Sequence, residues 1–86
     1  MWHVYILKCA DGTLYTGITT DLDRRIREHN FSKKSAKYTS GRRPVQLMYS
    51  SIFKNKKQAS KEEYRIKTLT RKQKLELITQ ALSNPS

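Results

Sequence analysis

The sequence contains one cysteine, few acidic residues and no long apolar run. With Cys9 alone, no internal disulfide can form, and the apolar residues around it favour an inert, packed thiol. No apolar stretch reaches the length that spans a bilayer, and the N-terminus has no basic-then-apolar signal pattern. We therefore expect a cytoplasmic protein that does not associate with membranes.

Several catalytic and metal-binding patterns are also absent from the sequence. Two histidines and one cysteine provide no zinc-ligand spacing, and no glycine-rich phosphate loop or Ser/His/Asp set occurs. No small organic cofactor is therefore expected. A length of 86 residues fits a single domain, 1–86, with residues 2–82 structured and 83–86 forming a frayed tail. An apolar content of 36% is enough for a packed core.

Acidic residues are scarce relative to basic ones. Seven Asp and Glu face 18 Lys and Arg, which gives a formal net charge of +11. Such an excess favours a polyanionic partner, above all nucleic acid, although a solvated surface that keeps the protein soluble is the simpler alternative. Between residues 24 and 43, Glu28 is the only acid. The eight basic residues of that stretch are Arg24, Arg25, Arg27, Lys33, Lys34, Lys37, Arg42 and Arg43.

Apolar periodicity and turn-forming residues predict the element order ββαβαα. The three strands are expected at residues 2–9, 13–18 and 45–53. The three helices are expected at residues 21–31, 55–69 and 70–82. Their capping pairs are Thr20 with Asp23, Asn55 with Gln58, and Thr70 with Gln73. The fold class is thus mixed α/β, or α+β in strict usage: a small sheet flanked by about three helices, with a basic loop at residues 32–44.

Polar residues lie on or beside the apolar faces of the first two helices. On the first helix, Leu22 and Ile26 mark the inward stripe. Arg25 and His29 lie beside that stripe, four residues apart on one face. On the second helix, Glu63 falls near the centre of the apolar side. A buried carboxylate must be paired, protonated or bound to a cation, so Glu63 is either the salt-bridge partner of a basic residue or a metal ligand.

The hairpin loop decides whether Tyr5 and Tyr15 share one face of the sheet. With a three-residue loop at residues 10–12, Tyr5 faces Gly17, and both tyrosines lie on the same face. With a two-residue loop they fall on opposite faces. A glycine in mid-strand leaves space above it for a ring or a phosphate. Two tyrosines on one face are more often core residues than part of a site, and both interpretations remain open.

The third helix carries an apolar stripe at Leu75, Ile78 and Leu82. Residues at this spacing lie on one side of a helix, so we expect them to close the core. A dimer interface is the alternative use of the same stripe. We expect a monomer.

Taken together, these residues resemble the GIY-YIG nuclease superfamily. Its first motif is matched by His3-Val4-Tyr5, which keeps only the tyrosine, and its second by Tyr15-Thr16-Gly17, with threonine in the middle. Arg25 matches the superfamily arginine, His29 matches a histidine found one helical turn later, and Glu63 matches the metal-binding glutamate. The resemblance runs from about residue 2 to residue 82 and is strongest to the short, stand-alone bacterial branch.

The resemblance implies a three-stranded antiparallel sheet flanked by helices, and a divalent-metal-dependent endonuclease with DNA as the expected substrate. The expected catalytic residues are Tyr5, Tyr15, Arg25, His29 and Glu63. Glu63 would hold Mg²⁺ or Mn²⁺, because a single carboxylate plus waters suits these ions. Arg25 would neutralise phosphoryl oxygens, and Tyr5 would orient or deprotonate the attacking water if nearby cations lower its pKa. Tyr15 and His29 would contact the water or the phosphate.

Most of the expected nucleic-acid contacts outside the catalytic centre lie in the basic loop. The residues assigned to this role are Gly17, Lys33, Lys34, Lys37, Tyr38, Arg42 and Arg43. Backbone contacts of this kind carry no sequence information, so affinity should fall steeply with salt. Two alternatives remain: a nucleic-acid-binding module that kept the fold but lost turnover, and a basic protein-interaction domain, which does not explain polar residues on buried faces.

Overall fold

The computed structural model describes residues 1–31 and 41–83. Within these residues the chain forms three strands and three helices in the order ββαβαα, which confirms the predicted fold class. The elements are β1 Trp2–Lys8, β2 Leu14–Thr19, α1 Leu22–Phe31, β3 Gln46–Phe53, α2 Lys56–Lys67 and α3 Arg71–Ser83. Among them is no helix whose length and apolar character would let it cross a membrane.

The sheet is antiparallel, with β1 in the centre between β2 and β3. The β1–β2 hairpin closes through a hydrogen bond of 2.8 Å from Cys9 N to Thr13 O. Residues 10–12 therefore form a three-residue loop, and Gly12 adopts a left-handed φ of 85° within it. This loop sets the pairing of Tyr5 with Gly17 and of Leu7 with Tyr15. The alternative with a three-residue loop is confirmed, and both tyrosines lie on one face of the sheet.

The two faces of the sheet are covered by different helices. On one face, Val4 and Ile6 pack with Ala59 and Ile66 of α2 and with Ile78 of α3. The opposite face carries a second cluster of buried β1 residues with Val45, against which Leu22 and Ile26 of α1 pack. The buried β1 residues of that cluster are Tyr5, Leu7 and Cys9. Cys9 is 3% exposed, as expected for a packed thiol.

Two of the three predicted helix caps are confirmed. The Asn55 side chain accepts the Gln58 N–H at 2.9 Å. Thr70 and Gln73 form a reciprocal capping box at the start of α3. The prediction for α1 was wrong by one residue, because Asp21 rather than Thr20 accepts a backbone N–H, that of Arg24, at 3.1 Å. Unlike Thr20, Asp21 also brings a negative charge to the positive end of the helix dipole.

The apolar stripe predicted for α3 was only partly correct. Ile78 is 4% exposed and belongs to the core, but Leu75 and Leu82 are 41% and 77% exposed. Leu77 packs against the core in their place. The helix is therefore rotated relative to the predicted stripe, because its docking is set by the position of the sheet rather than by the α3 sequence alone.

We predict that Ile66→Ala lowers the free energy of unfolding by about 2–5 kcal/mol, since it leaves a cavity where α2 meets the sheet. Ile66 is fully buried, whereas Tyr64 on the same helix is 73% exposed. Tyr64→Ala should therefore change the free energy by only about 0.5 kcal/mol. Urea denaturation followed by circular dichroism measures both values. Equal losses for the two variants would contradict the assigned core.

Candidate active site

The site is built around the close approach of Tyr5 to Gly17. The two residues are cross-strand partners on β1 and β2. A Cβ atom placed on Gly17 would lie 2.6 Å from the Tyr5 hydroxyl and 3.2 Å from Cε2 of Tyr15. Both distances are shorter than ordinary van der Waals contact, so the tyrosine rings occupy the space that a side chain at this position would need. Glycine at position 17 therefore permits the arrangement of the two rings.

His29 of α1 lies against both tyrosines. Its Nε2 atom is 3.0 Å from the Tyr5 hydroxyl, and its ring centroid is 5.2 Å from that of Tyr15. His29 is fully buried, with an exposed fraction of 0%. The sequence predicted that His29 lies beside the inward stripe; the structure places it deeper than the stripe residues Leu22 and Ile26. The Tyr5 hydroxyl supplies the polar partner that this burial requires.

Burial sets the charge states of the tyrosine and the histidine. It raises the pKa of Tyr5 to about 12, with a further increase from Tyr15, while the Arg25 guanidinium acts in the opposite direction. It also lowers the pKa of His29 to about 4, and the Arg25 guanidinium adds to that decrease. Arg25 thus lowers the pKa of Tyr5 as predicted, but burial outweighs it. At neutral pH, the pair is a phenol and a neutral imidazole.

Arg25 of α1 and Glu63 of α2 both affect the pKa of Tyr5, Arg25 by lowering it and Glu63 by raising it. Nη1 of Arg25 is 3.0 Å from Oε1 of Glu28, and the Arg25 side chain is 25% exposed. The Glu63 carboxylate contributes to the raised pKa of Tyr5, which places it within electrostatic reach of the hydroxyl. Tyr15 and His29 pack against the Tyr5 ring, whereas Arg25 and Glu63 affect the pKa of Tyr5. Arg25 and Glu63 present the charged groups, and Tyr5 and His29 form the buried layer.

Glu63 makes a salt bridge, which was one of its two predicted roles. Its Oε2 atom is 3.3 Å from Nζ of Lys67, one helical turn later, and its side chain is 22% exposed. Glu62 instead points to Arg65, with contacts of 2.6 and 2.8 Å. No group of three His, Cys, Asp or Glu side chains among the described residues could hold an ion. The Glu63 carboxylate is partly exposed and has an ammonium group as its partner. A lone carboxylate of this kind fits an ion that keeps most of its waters.

The end of the basic loop is fastened to the hairpin and to α1. Nε of Arg42 is 2.9 Å from Oδ2 of Asp11, and Nε of Arg43 donates to the His29 carbonyl at 2.7 Å. Asn30 holds both backbone groups of Val45, at 2.6 and 3.3 Å. Arg42 and Arg43 therefore have structural roles at the base of the loop. The other predicted loop contacts lie outside the described residues: Lys33, Lys34, Lys37 and Tyr38.

Sequence reasoning did not identify three partners of the site residues. Glu28 pairs with Arg25, and Lys67 pairs with Glu63. Their spacings of three and four residues on a helix are the signal that could have identified them. Asn30, which positions the strand after the basic loop, carries no such local signal, because its partner Val45 is distant in sequence.

We predict that His29 makes stability depend on pH. Its folded pKa of about 4 lies below the value of 6.5 for an unperturbed histidine. Between these pH values the unfolded chain takes up a proton that the folded chain does not. The contribution of His29 to the free energy of unfolding is therefore complete above about pH 6.5 and is lost as the pH falls toward 4. The loss attributable to His29 should be roughly 3 kcal/mol.

Chemical denaturation at pH 7 and at about pH 4.5 measures this effect in the wild type, His29→Gln and His3→Gln. The glutamine at position 29 keeps an acceptor near Tyr5 but does not titrate. His29→Gln should lose distinctly less stability on acidification than the wild type, while His3→Gln should behave like the wild type. The same acid-induced loss in all three proteins would show that His29 is not the responsible group.

Comparisons with known proteins place this chain among relatives of the same length range. Residues 1–76 match the model of the GIY-YIG catalytic domain. A UPF0213 protein from Desulfotalea psychrophila is 56% identical over 77 residues, which cover 90% of this chain and 70% of that protein. A UPF0213 protein from Clostridium perfringens is 56% identical over 79 residues, covering 92% of this chain and 84% of that protein.

Two solved structures share the fold. The solution NMR structure of a UPF0213 protein from Bacillus halodurans has 49% identity and a TM-score of 0.59, covering 92% of this chain and 84% of that chain. The solution NMR structure of a protein from E. faecalis has 41% identity and a TM-score of 0.64, covering 98% of this chain and 90% of that chain. Since its sequence and its fold both agree with these proteins, this chain belongs to the GIY-YIG catalytic domain family, among its UPF0213 members.

Proposed function

We propose that this domain is a divalent-metal-dependent endonuclease that hydrolyses phosphodiester bonds in nucleic acid, with DNA as its substrate. The observation that carries the proposal is the meeting of β1, β2 and α1 at the Tyr5 hydroxyl, which lies over Gly17 and contacts His29 at 3.0 Å. A buried tyrosine–histidine pair flanked by one guanidinium and one carboxylate provides both polar orientation and charge neutralisation. Membership of a nuclease domain family supports this chemistry.

Arg25 is proposed to bind the scissile phosphate. Its planar guanidinium remains charged and matches two phosphate oxygens at once. In the structure it is paired with Glu28 at 3.0 Å, and both side chains are partly exposed, at 25% and 23%. An ion pair of this kind is worth only about 0.3–0.5 kcal/mol, so a phosphate can replace the carboxylate at little cost.

Tyr5 is proposed to orient the attacking water from beneath the phosphate. With a pKa of about 12, it is a phenol at neutral pH and acts through its hydroxyl group rather than as a free phenolate. His29 fixes the direction of that hydroxyl, which makes it a positioning residue. Tyr15, half-buried and 6.4 Å from Tyr5 between ring centroids, is placed to contact the water or a phosphate oxygen.

Glu63 is proposed as the protein ligand of Mg²⁺, or of Mn²⁺. Its carboxylate is partly exposed and already paired with an ammonium group at 3.3 Å. A bound ion would supply charge neutralisation at the phosphate and the leaving oxygen. The Lys67 ammonium would have to leave the carboxylate when an ion binds, because like charges at this separation repel each other.

The basic loop is proposed to bind the nucleic-acid backbone outside the catalytic centre. Its contacts would come from Lys33, Lys34, Lys37, Tyr38, Arg42 and Arg43. Gly17, the other residue assigned to this role, is covered by the tyrosine rings. Arg42 and Arg43 keep the loop attached to the hairpin and to α1 through Asp11 and the His29 carbonyl. We propose that the protein acts as a monomer in the cytoplasm.

We predict that Glu63→Gln lowers the rate of cleavage by about 100-fold or more, because the amide has lost the charge that holds the ion. Glu62→Gln is the matched control, since Glu62 is a neighbouring helix carboxylate that pairs with Arg65 instead. The two variants and the wild type are incubated with DNA and RNA in single-stranded, duplex and branched forms, with Mg²⁺, Mn²⁺ or EDTA. The control should cleave like the wild type.

The outcomes of this experiment separate the two candidate functions. Metal-dependent cleavage that is lost only in Glu63→Gln supports the nuclease and identifies its substrate. Salt-sensitive binding without cleavage by any of the three proteins would instead support a non-catalytic binding module. That alternative is favoured by the burial of Tyr5, which is 1% exposed, and by the salt bridge that Glu63 already makes.

We predict that Tyr5→Phe also lowers the rate by about 100-fold or more, in the range of losses typical for an acid–base or positioning group. The ring remains above Gly17, so the packing of the site is preserved. Tyr64→Phe on α2 is the control, because Tyr64 is 73% exposed whereas Tyr5 is 1% exposed. Single-turnover rates are compared at a temperature at which every variant is folded. Near-native cleavage by Tyr5→Phe would rule out the proposed role.

A further inference from the structure

The second strand and the helix α2 run side by side in opposite directions. Nζ of Lys56, at the start of α2, lies 5.6 Å from the centroid of the Trp2 ring. Trp2 is next to His3, which pairs with Thr19 at the end of β2. Glu63 lies in the middle of α2 between Ala59 and Ile66, which pack with Val4 and Ile6, the neighbours of Tyr5 in β1. Tyr5 pairs with Gly17 in the middle of β2. The helix therefore passes along β2 with Glu63 at the level of the site.

Basic residues continue this line beyond Glu63. Lys67 pairs with Glu63 one turn further along α2. After the turn into α3, Arg71 and Lys74 line a small open cavity of about 200 Å³ together with Thr13 and Leu14, which lie at the start of β2. Cations thus lie on both sides of Glu63: Lys56 at the Trp2 end of the sheet, and three others toward the beginning of β2. We call Lys56, Lys67, Arg71 and Lys74 the edge track, because β2 is an edge strand of the sheet.

The two α3 residues of the edge track, Arg71 and Lys74, have no acidic partner in the described part of the chain. The ion pairs found there involve neither Arg71 nor Lys74. The first turn of α3 contains no acidic residue, and Arg71 and Lys72 occupy its first two positions. Positive charge at a helix N-terminus is unfavourable because it opposes the helix dipole. This region therefore retains an electrostatic cost that a polyanion would relieve.

The length of the edge track matches a nucleic-acid strand. The six residues of β2 span roughly 20 Å at about 3.3 Å per residue. That distance equals the axial rise of about six nucleotides of a duplex strand, at 3.4 Å each. Several phosphates can thus lie alongside β2 while one of them is placed at Glu63 and Arg25.

We propose that the edge track binds the sugar–phosphate backbone on both sides of the scissile phosphate, so that the cleaved strand runs alongside β2. The inference rests on the proposed function and extends it, because it assigns a second backbone contact outside the basic loop. The ligand is a phosphodiester backbone rather than a base, since lysine and arginine side chains at exposed positions recognise charge and not sequence.

A pair of charge-matched double variants tests the edge track. Arg71→Gln/Lys74→Gln removes two of its cations, whereas Lys57→Gln/Lys72→Gln removes two exposed cations of the same helices that line no part of the hairpin cavity. Binding of a fluorescent 20-mer DNA duplex is measured by anisotropy at several salt concentrations, in EDTA so that no metal-dependent cleavage occurs. The slope of the logarithm of the binding constant against the logarithm of the salt concentration is proportional to the number of phosphate contacts.

The edge-track variant should bind more weakly, and its slope should be smaller than that of the wild type by about 1.8, or about 0.9 for each lost contact. The control variant should keep most of the wild-type slope. Equal losses in the two variants would overturn the proposal, since net charge alone would then explain the binding. Both variants should melt at or above the wild-type temperature, because each removes positive charge from the start of α3.

A lower melting temperature together with weaker binding by Arg71→Gln/Lys74→Gln would assign these residues to stability and would also overturn the proposal. Cleavage by the wild type with unchanged binding by the edge-track variant would refute the edge track but leave the nuclease function standing. Failure of the wild type to bind or cleave DNA and RNA in any form would refute both proposals.

Discussion

The site depends on the number of residues in the β1–β2 hairpin loop. Three residues between Cys9 and Thr13 place Tyr5 opposite Gly17 and Tyr15 opposite Leu7. A change of one residue in this loop would turn every side chain of β2 to the other face. Asp11 stabilises the loop by accepting hydrogen bonds from the Thr13 N–H and hydroxyl, and it also pairs with Arg42. A turn at the distal end of the hairpin therefore determines which side chains meet at the centre of the sheet.

A buried neutral pair and a set of partly exposed ion pairs form two layers of the site. The Tyr5–His29 hydrogen bond lies in the inner layer, where desolvation keeps both groups uncharged. Arg25 and Glu63 belong to the outer layer, where each has one charged partner on its own helix. The inner layer cannot rearrange without exposing a buried polar atom, whereas the outer pairs can exchange at small cost. The fold thus fixes the orientation of the Tyr5 hydroxyl, whereas a ligand could replace the present partners of Arg25 and Glu63.

Local patterns predicted the elements well, but they predicted the docking of helices less well. The caps at Asn55 and Thr70 follow from side chains that act on their own turn, which makes them visible in the sequence. Thr20 and Asp21 are both good capping residues, and only the path of the chain after β2 decides between them. The depth of His29 and the rotation of α3 depend on where each helix meets the sheet, which no local period encodes. The sequence predicted that Tyr5 and Tyr15 share a face only if the hairpin loop has three residues, and it left the loop length open.

The ion pairs of the outer layer also connect the site to the edge track. The pair between Glu63 and Lys67 joins residues one helical turn apart and is worth only about 0.3–0.5 kcal/mol. A doubly charged ion at Glu63 would repel the Lys67 ammonium, and the nearest large negative charge would then be a substrate phosphate. If Glu63 binds an ion as we propose, Lys67 would neutralise the carboxylate when the site is empty and the backbone when it is filled. The same exchange would apply to Arg25, which would leave Glu28 for a phosphate. Binding of the ion and of the nucleic acid should therefore strengthen each other. A bound ion would displace the Lys67 ammonium from Glu63, and the displaced ammonium could then pair with a phosphate of the nucleic acid.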